Sequence, residues 1–128
     1  MSKKFSHLDD DNNPSMVDIS SKLESKRIAK AYAKVILNNE IINLISKNQI
    51  RKGNVLEVAN IAGIQAAKKT HELIPLCHSL ALSYVKLQFD ISENKNFIEI
   101  TSEACSVGKT GVEMEALTAV SSAALTIY

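Results

Sequence analysis

Arg27-Ile28-Ala29-Lys30-Ala31-Tyr32-Ala33-Lys34-Val35-Ile36-Leu37 is the stretch whose reading decides the fold. Alanine and lysine both favour helix. Their order argues the other way. Ala29, Ala31, Ala33 and Val35 fall on one side of a period of two, and Lys30, Tyr32 and Lys34 on the other. That alternation predicts a half-buried strand.

Downstream, Asn39 can cap a short helix through Ile41, Ile42, Leu44 and Ile45 that ends near Asn48. Arg51-Lys52-Gly53-Asn54 then reads as a basic turn, with Asn54 capping the next helix. Val55, Val58, Ala59, Ala62 and Ala66 recur at helical spacing, and Gly63 allows close approach of a neighbour. This helix should reach residues 71–73, because Pro75 forbids much continuation. Two alternating strands follow. Val85, Leu87, Phe89 and Ile91 share a face of the first, Ile98 and Ile100 a face of the second, and residues 92–96 join them as a hairpin. A last helix starts near Gly111 and runs through alanines to Tyr128. Upstream, Met16-Val17-Asp18-Ile19-Ser20 is a short strand candidate, and polar residues 1–15 read as a mobile arm.

The order strand, strand, helix, helix, strand, strand, helix predicts an α+β fold. The nearest common architecture is a ferredoxin-like plait, a mostly antiparallel sheet with helices packed on one face. Residues 16–128 form its single domain. A sheet this small leaves edges that pairing with another copy would manage.

Composition bounds the partners. A chain of 128 residues with 45% apolar and 23% charged residues holds one ordinary core. Net charge of +1 exerts no global pull on nucleic acid or membrane, so any anion site is local. Cys77 and Cys105 lack a C-x-x-C spacing, which suits a reducing compartment. With no long apolar run and no signal segment, the expected location is the cytoplasm.

Several motifs could carry chemistry. Gly108-Lys109-Thr110 invites comparison with a P-loop, but that pattern needs glycine where Glu103 stands, so the Walker reading fails. Glycines that admit backbone amides to an anion, with Lys109 beside a helix start, remain possible; a plain strand-to-helix turn explains the residues equally well. Glu113 and Glu115 lie in a first helical turn, where the dipole favours each carboxylate by ~0.3–1 kcal/mol. Two positions apart, they project roughly 200° from one another, so one could face a site while the other braces the loop. Leu73-Ile74-Pro75-Leu76-Cys77-His78 is an apolar corner closing on a histidine, a residue more often structural than catalytic in such surroundings. Cys77 reads locally as a small core residue. Arg27, Lys52, Lys68, Lys69 and Lys109 form either one basic pocket or separate solvated charges. His7, His71 and His78 show no metal-ligand spacing, so no metal site is expected.

Taken together, these stretches resemble the cyclic pyranopterin monophosphate synthase family, which performs the second step of molybdenum cofactor biosynthesis. The resemblance is carried by residues 16–20, Lys52-Gly53, Ile61-Ala62-Gly63-Ile64-Gln65-Ala66-Ala67-Lys68-Lys69-Thr70, the corner 73–78, and Gly108 through Tyr128, in the family's order and spacing. It implies a ferredoxin-like subunit in a homohexamer built as a trimer of dimers, with the active site at the dimer interface. The implied lyase reaction converts a cyclised dihydroguanosine triphosphate, made from GTP by the preceding radical enzyme, to cyclic pyranopterin monophosphate and pyrophosphate. Carried over residue by residue, Lys52, His78, Glu113 and Glu115 match catalytic positions. Arg27, Lys68, Lys69, Cys77 and Met114 match substrate-binding ones. Lys52 would exchange protons, His78 and Lys68 would hold phosphates, and the glutamates would orient the ring and its amines. No cofactor is implied beyond Mg²⁺ that could accompany the triphosphate.

Two departures accompany the match. Ser79 stands where the family usually has proline, which loosens the corner. In the family an Asp-x-x-Lys segment follows the tyrosine matching Tyr128, and its aspartate and lysine belong to the catalytic set. Losing a positioned acid–base group costs ~10²–10⁴-fold, so the 128 residues by themselves are expected to turn over very weakly. The alternative readings are a degenerate remnant that folds or binds nucleotide without turnover, and an unrelated phosphate-binding module sharing only the glycine turn.

Overall fold

A computed structural model describes residues 5–47, 54–92 and 94–128. Three strands, β1 (Ser25–Ile36), β2 (Leu82–Ile91) and β3 (Phe97–Gly108), form an antiparallel sheet in the order β1-β3-β2. The helices among the described residues are α1 (Asn39–Ser46), α2 (Val55–Lys68), α3 (Thr70–Leu73) and α4 (Glu113–Ile127). The fold is α+β with a ferredoxin-like arrangement, as the sequence order predicts.

The alternation in β1 fixes which way the sheet faces. Ala29, Ala31 and Ala33 turn toward the helices and pack against buried core side chains, while Lys30 and Lys34 remain exposed and Tyr32 is 52% exposed. Small residues on this face let α4 lie close, and α4 answers with small buried residues of its own: Ala116, Ala119 and Ala123. Ile42, Ile98 and Ile100 are completely buried, each contributing about 1.5–3 kcal/mol by leaving water. Tertiary burial overrides the helix preference of alanine and lysine.

Gly63 sets the approach of α2. A Cβ there would lie 2.6 Å from Leu87 Cδ2 and 2.9 Å from the Ala119 carbonyl oxygen, so glycine lets α2 wedge between β2 and α4. Ser102 spans the next layer, its hydroxyl donating to the Ala116 carbonyl at 2.7 Å.

Three local expectations need correction. Residues 16–19 form no strand; Ser20 begins a turn closed by Lys22 N–H donating to Ile19 O. Alternation over so few residues was too short a signal there. The cap of α1 is Asn38, whose side chain accepts from Ile41 N–H at 2.9 Å, one residue before the expected Asn39. The long helix stops at Lys68, and α3 restarts the turn from Thr70 through Leu73. Asn54 caps α2 as expected, accepting from Glu57 N–H at 3.2 Å.

Candidate functional site

The site gathers where the corner before β2 meets the start of α4. Pro75 ends the helical run, and Leu76 then adopts φ 69°, a left-handed conformation that is uncommon for a branched side chain. Such backbone strain, about 1–3 kcal/mol, persists only where surrounding structure imposes it. Its effect is to reverse the chain so that Cys77 and His78 face the loop between β3 and α4. From the other side, β3 delivers Gly108, and Val112 begins α4 without a side-chain cap.

A cavity of about 150 Å³ lies between them. Cys77, His78, Thr110, Gly111, Glu113, Met114 and Glu115 line it, with Leu76, Leu80 and His7. A larger hollow of about 580 Å³ on the outer sheet face is lined by cross-strand pairs such as Lys30, Glu103 and Lys86. The smaller cavity has the stronger chemical claim, because a thiol, a histidine and a buried carboxylate meet in it, whereas the outer hollow is walled by solvated cross-strand pairs.

The two glutamates divide as their helical angle requires. Glu115 is 4% exposed, and Glu113 lies exposed at the cavity rim. Burial pushes the Glu115 carboxyl above its ordinary range, and the Glu113 charge adds to this. The backbone N–H of Glu115 and the nearby His71 oppose it. Burial likewise raises the Cys77 thiol, helped by Glu115. Burial thus works against the charged form of both groups on the inner wall.

His78 is held by its ring. Nε2 lies 2.7 Å from the Val17 carbonyl oxygen. A carbonyl only accepts, so Nε2 carries the proton, and in the neutral ring Nδ1 is the open acceptor. Lys109 donates to the Ser20 carbonyl at 3.3 Å. These two bonds tie the segment around residues 17–20 to the site as a strap. Lys109 thus braces the strap, a use that the glycine-turn motif did not reveal.

Of the residues matched from sequence, Cys77, His78, Glu113, Met114 and Glu115 come together around the cavity. Lys68 and Lys69 stand exposed at the end of α2 and do not line it. Arg27 sits opposite Ser106 at the start of β1, its Nε buried without a hydrogen-bond partner among the described residues. Lys52 lies outside the described residues. His7 and the Val17 carbonyl were missed as site groups, and Thr110 and Gly111 were read only as part of the glycine turn. Backbone carbonyls and glycines carry no side-chain chemistry to announce them. Among the described residues, no group of three or more His, Cys, Asp or Glu is placed to hold a metal ion, and no helix is long and apolar enough to cross a membrane.

Residues 16–128 match the model of the MoaC family. The chain belongs to the MoaC family. Its similarity to individual members is high and continuous. A Listeria innocua protein named cyclic pyranopterin monophosphate synthase is 52% identical over 124 residues, covering 97% of this chain and 77% of that protein. A Clostridium perfringens protein of the same name is 51% identical over 128 residues, covering the whole chain and 81% of that protein. A mitochondrial form from Arabidopsis thaliana is 50% identical over 125 residues, covering 98% of this chain and 46% of that protein. The matched range of the MoaC family takes in the strap, the corner and the whole of α4.

Proposed function

We propose that this protein acts in molybdenum cofactor biosynthesis as a cyclic pyranopterin monophosphate synthase, converting the cyclised dihydro-GTP intermediate to cyclic pyranopterin monophosphate with release of pyrophosphate. One observation carries the reading: Cys77, His78, Glu113, Met114 and Glu115, drawn from two distant parts of the chain, converge on one cavity. The names of relatives about half identical to this chain support the same assignment.

The chemistry suits these groups. Opening the aminal carbon–nitrogen bond requires a proton at nitrogen and an activated water at carbon. Glu115, held toward its protonated form, can give the proton, and His78 Nδ1 can accept one from water or a hydroxyl. Glu113 at the rim can bind ring amines. Ring closure then needs a sugar hydroxyl to attack the innermost phosphorus while pyrophosphate leaves, and cations must neutralise the triphosphate. Lys52, Arg27, Lys68 and Lys69 fill that role in this reading, with Lys52 also exchanging protons. Mg²⁺ can accompany the phosphates.

The size of the cavity bears on assembly. Ligand sites for molecules of this class occupy about 300–1,000 Å³, more than the 150 Å³ found here. A second copy would supply the remaining wall, in keeping with a homo-oligomer, a hexamer built as a trimer of dimers. Sedimentation should give a mass well above 14.0 kDa; a strictly monomeric protein would remove this part of the proposal. Release of pyrophosphate from the cyclised intermediate, followed in a coupled assay, tests the reaction. Near-normal turnover by Lys52→Ala would exclude Lys52 as the acid–base group.

A further inference from the structure

We infer that Gly111 is a positioning residue for Glu113: position 111 is glycine because the Glu113 carboxylate occupies the space a side chain there would fill. A Cβ placed on Gly111 would lie 2.6 Å from Glu113 Cδ and closer still to both carboxylate oxygens. Backbone conformation offers no competing reason, since Gly111 lies outside the left-handed region that favours glycine. Gly108 provides the contrast within the same loop. A Cβ there would meet only Ser106 Oγ, at an ordinary 3.7 Å.

The nature of the obstacle separates Gly111 from Gly63. At Gly63 a side chain would strike the Ala119 carbonyl, part of a helix that cannot step aside. At Gly111 it would strike the far end of a flexible side chain at the surface. A substitution at 111 therefore moves Glu113 and leaves the fold in place. The seat also solves an entropic problem. A glutamate on the exposed side of a first helical turn is free to swing into water, and ordering such a chain costs rotamer freedom. Folding the chain back over a bare glycine gives the carboxylate a defined place beside Thr110 and Met114 at the cavity rim.

The functional meaning of this seat rests on the role of Glu113 under Proposed function; the seat itself does not. The test is the crystal structure of the Gly111→Ala protein with a cycle of Gly111→Ala, Glu113→Ala and the double variant. We expect the Glu113 carboxylate to leave residue 111, with the thermal midpoint within about 2 °C of wild type. Turnover should fall ~10²-fold or more in each single variant, mostly in kcat, with no further loss in the double. A carboxylate that stays in place would overturn the inference, as would a loss of stability that Glu113→Ala does not restore. Additive losses would overturn it too. If Glu113→Ala turns over normally, the assigned role of Glu113 fails, and the carboxylate position in the Gly111→Ala structure still decides the seat.

Discussion

His78 Nε2 donates to the Val17 carbonyl at 2.7 Å, joining groups 61 positions apart in the chain. One bond thereby selects the tautomer of the histidine and pins the strap that leads into β1. Removing the ring by His78→Ala should release the strap. A hydrogen bond of about 0.5–1.5 kcal/mol net corresponds to a rise in local opening of roughly twofold to just over tenfold. Limited trypsin cleavage after exposed Lys22 reads this directly. Unchanged cleavage would mean that Lys109 and the turn at Ile19–Lys22 hold the strap alone.

Glu115→Gln should change how stability depends on pH. The folded-state pKa of Glu115 is raised, so folding favours the protonated form. Its contribution is fully present below the ordinary value of 4.5 and is lost as pH rises through the folded value. Wild type and variant should therefore have similar stability in acid, and the variant should gain relative to wild type toward neutral pH. Urea unfolding from pH 4 to pH 8 measures the difference. A variant that weakens relative to wild type as pH rises would contradict the assignment.

Cys77 should be a sluggish thiol. Burial, with Glu115 second, raises its pKa above the ordinary 9.0, and the thiolate is the reactive form. Iodoacetamide should modify it more slowly than a free cysteine at pH 7.5, and Glu115→Gln should speed the reaction. Peptide mass mapping distinguishes Cys77 from buried Cys105. Faster alkylation than free cysteine would show an activated thiolate.

Gly63→Ala tests the packing that carries α4 to the site. Overpacking against Leu87 and the Ala119 carbonyl should cost about 1–3 kcal/mol, seen as a lower urea midpoint with an unchanged slope. Wild-type stability would mean that α2 shifts freely, so that α4 is not held by this contact.

How far the sequence foretold this arrangement depends on the kind of signal. The alternation around Ala29–Val35 was strong enough to overrule alanine and lysine propensities, because a whole face is buried. Met16–Ser20 offered a similar pattern over too few residues, and its groups serve as a strap. Glu113 and Glu115 differ in burial, in keeping with their separation of roughly 200°, yet both border one cavity, which the angle did not foretell. Spacing could not show that Val17 would meet His78, or that Gly111 would lie beneath Glu113. Those contacts arise from tertiary closure, and their sequence trace is a backbone carbonyl and a missing side chain.

The central claim is that the cavity between Cys77-His78 and Glu113–Glu115 processes the cyclised dihydro-GTP intermediate. Single-turnover incubation with protein in excess, with product separated and identified by mass, tests it most directly. Wild type should form cyclic pyranopterin monophosphate and one pyrophosphate per turnover, with His78→Ala and Glu113→Ala at least ~10²-fold slower. Equal rates in all three proteins, whether fast or indistinguishable from the protein-free control, would contradict the account.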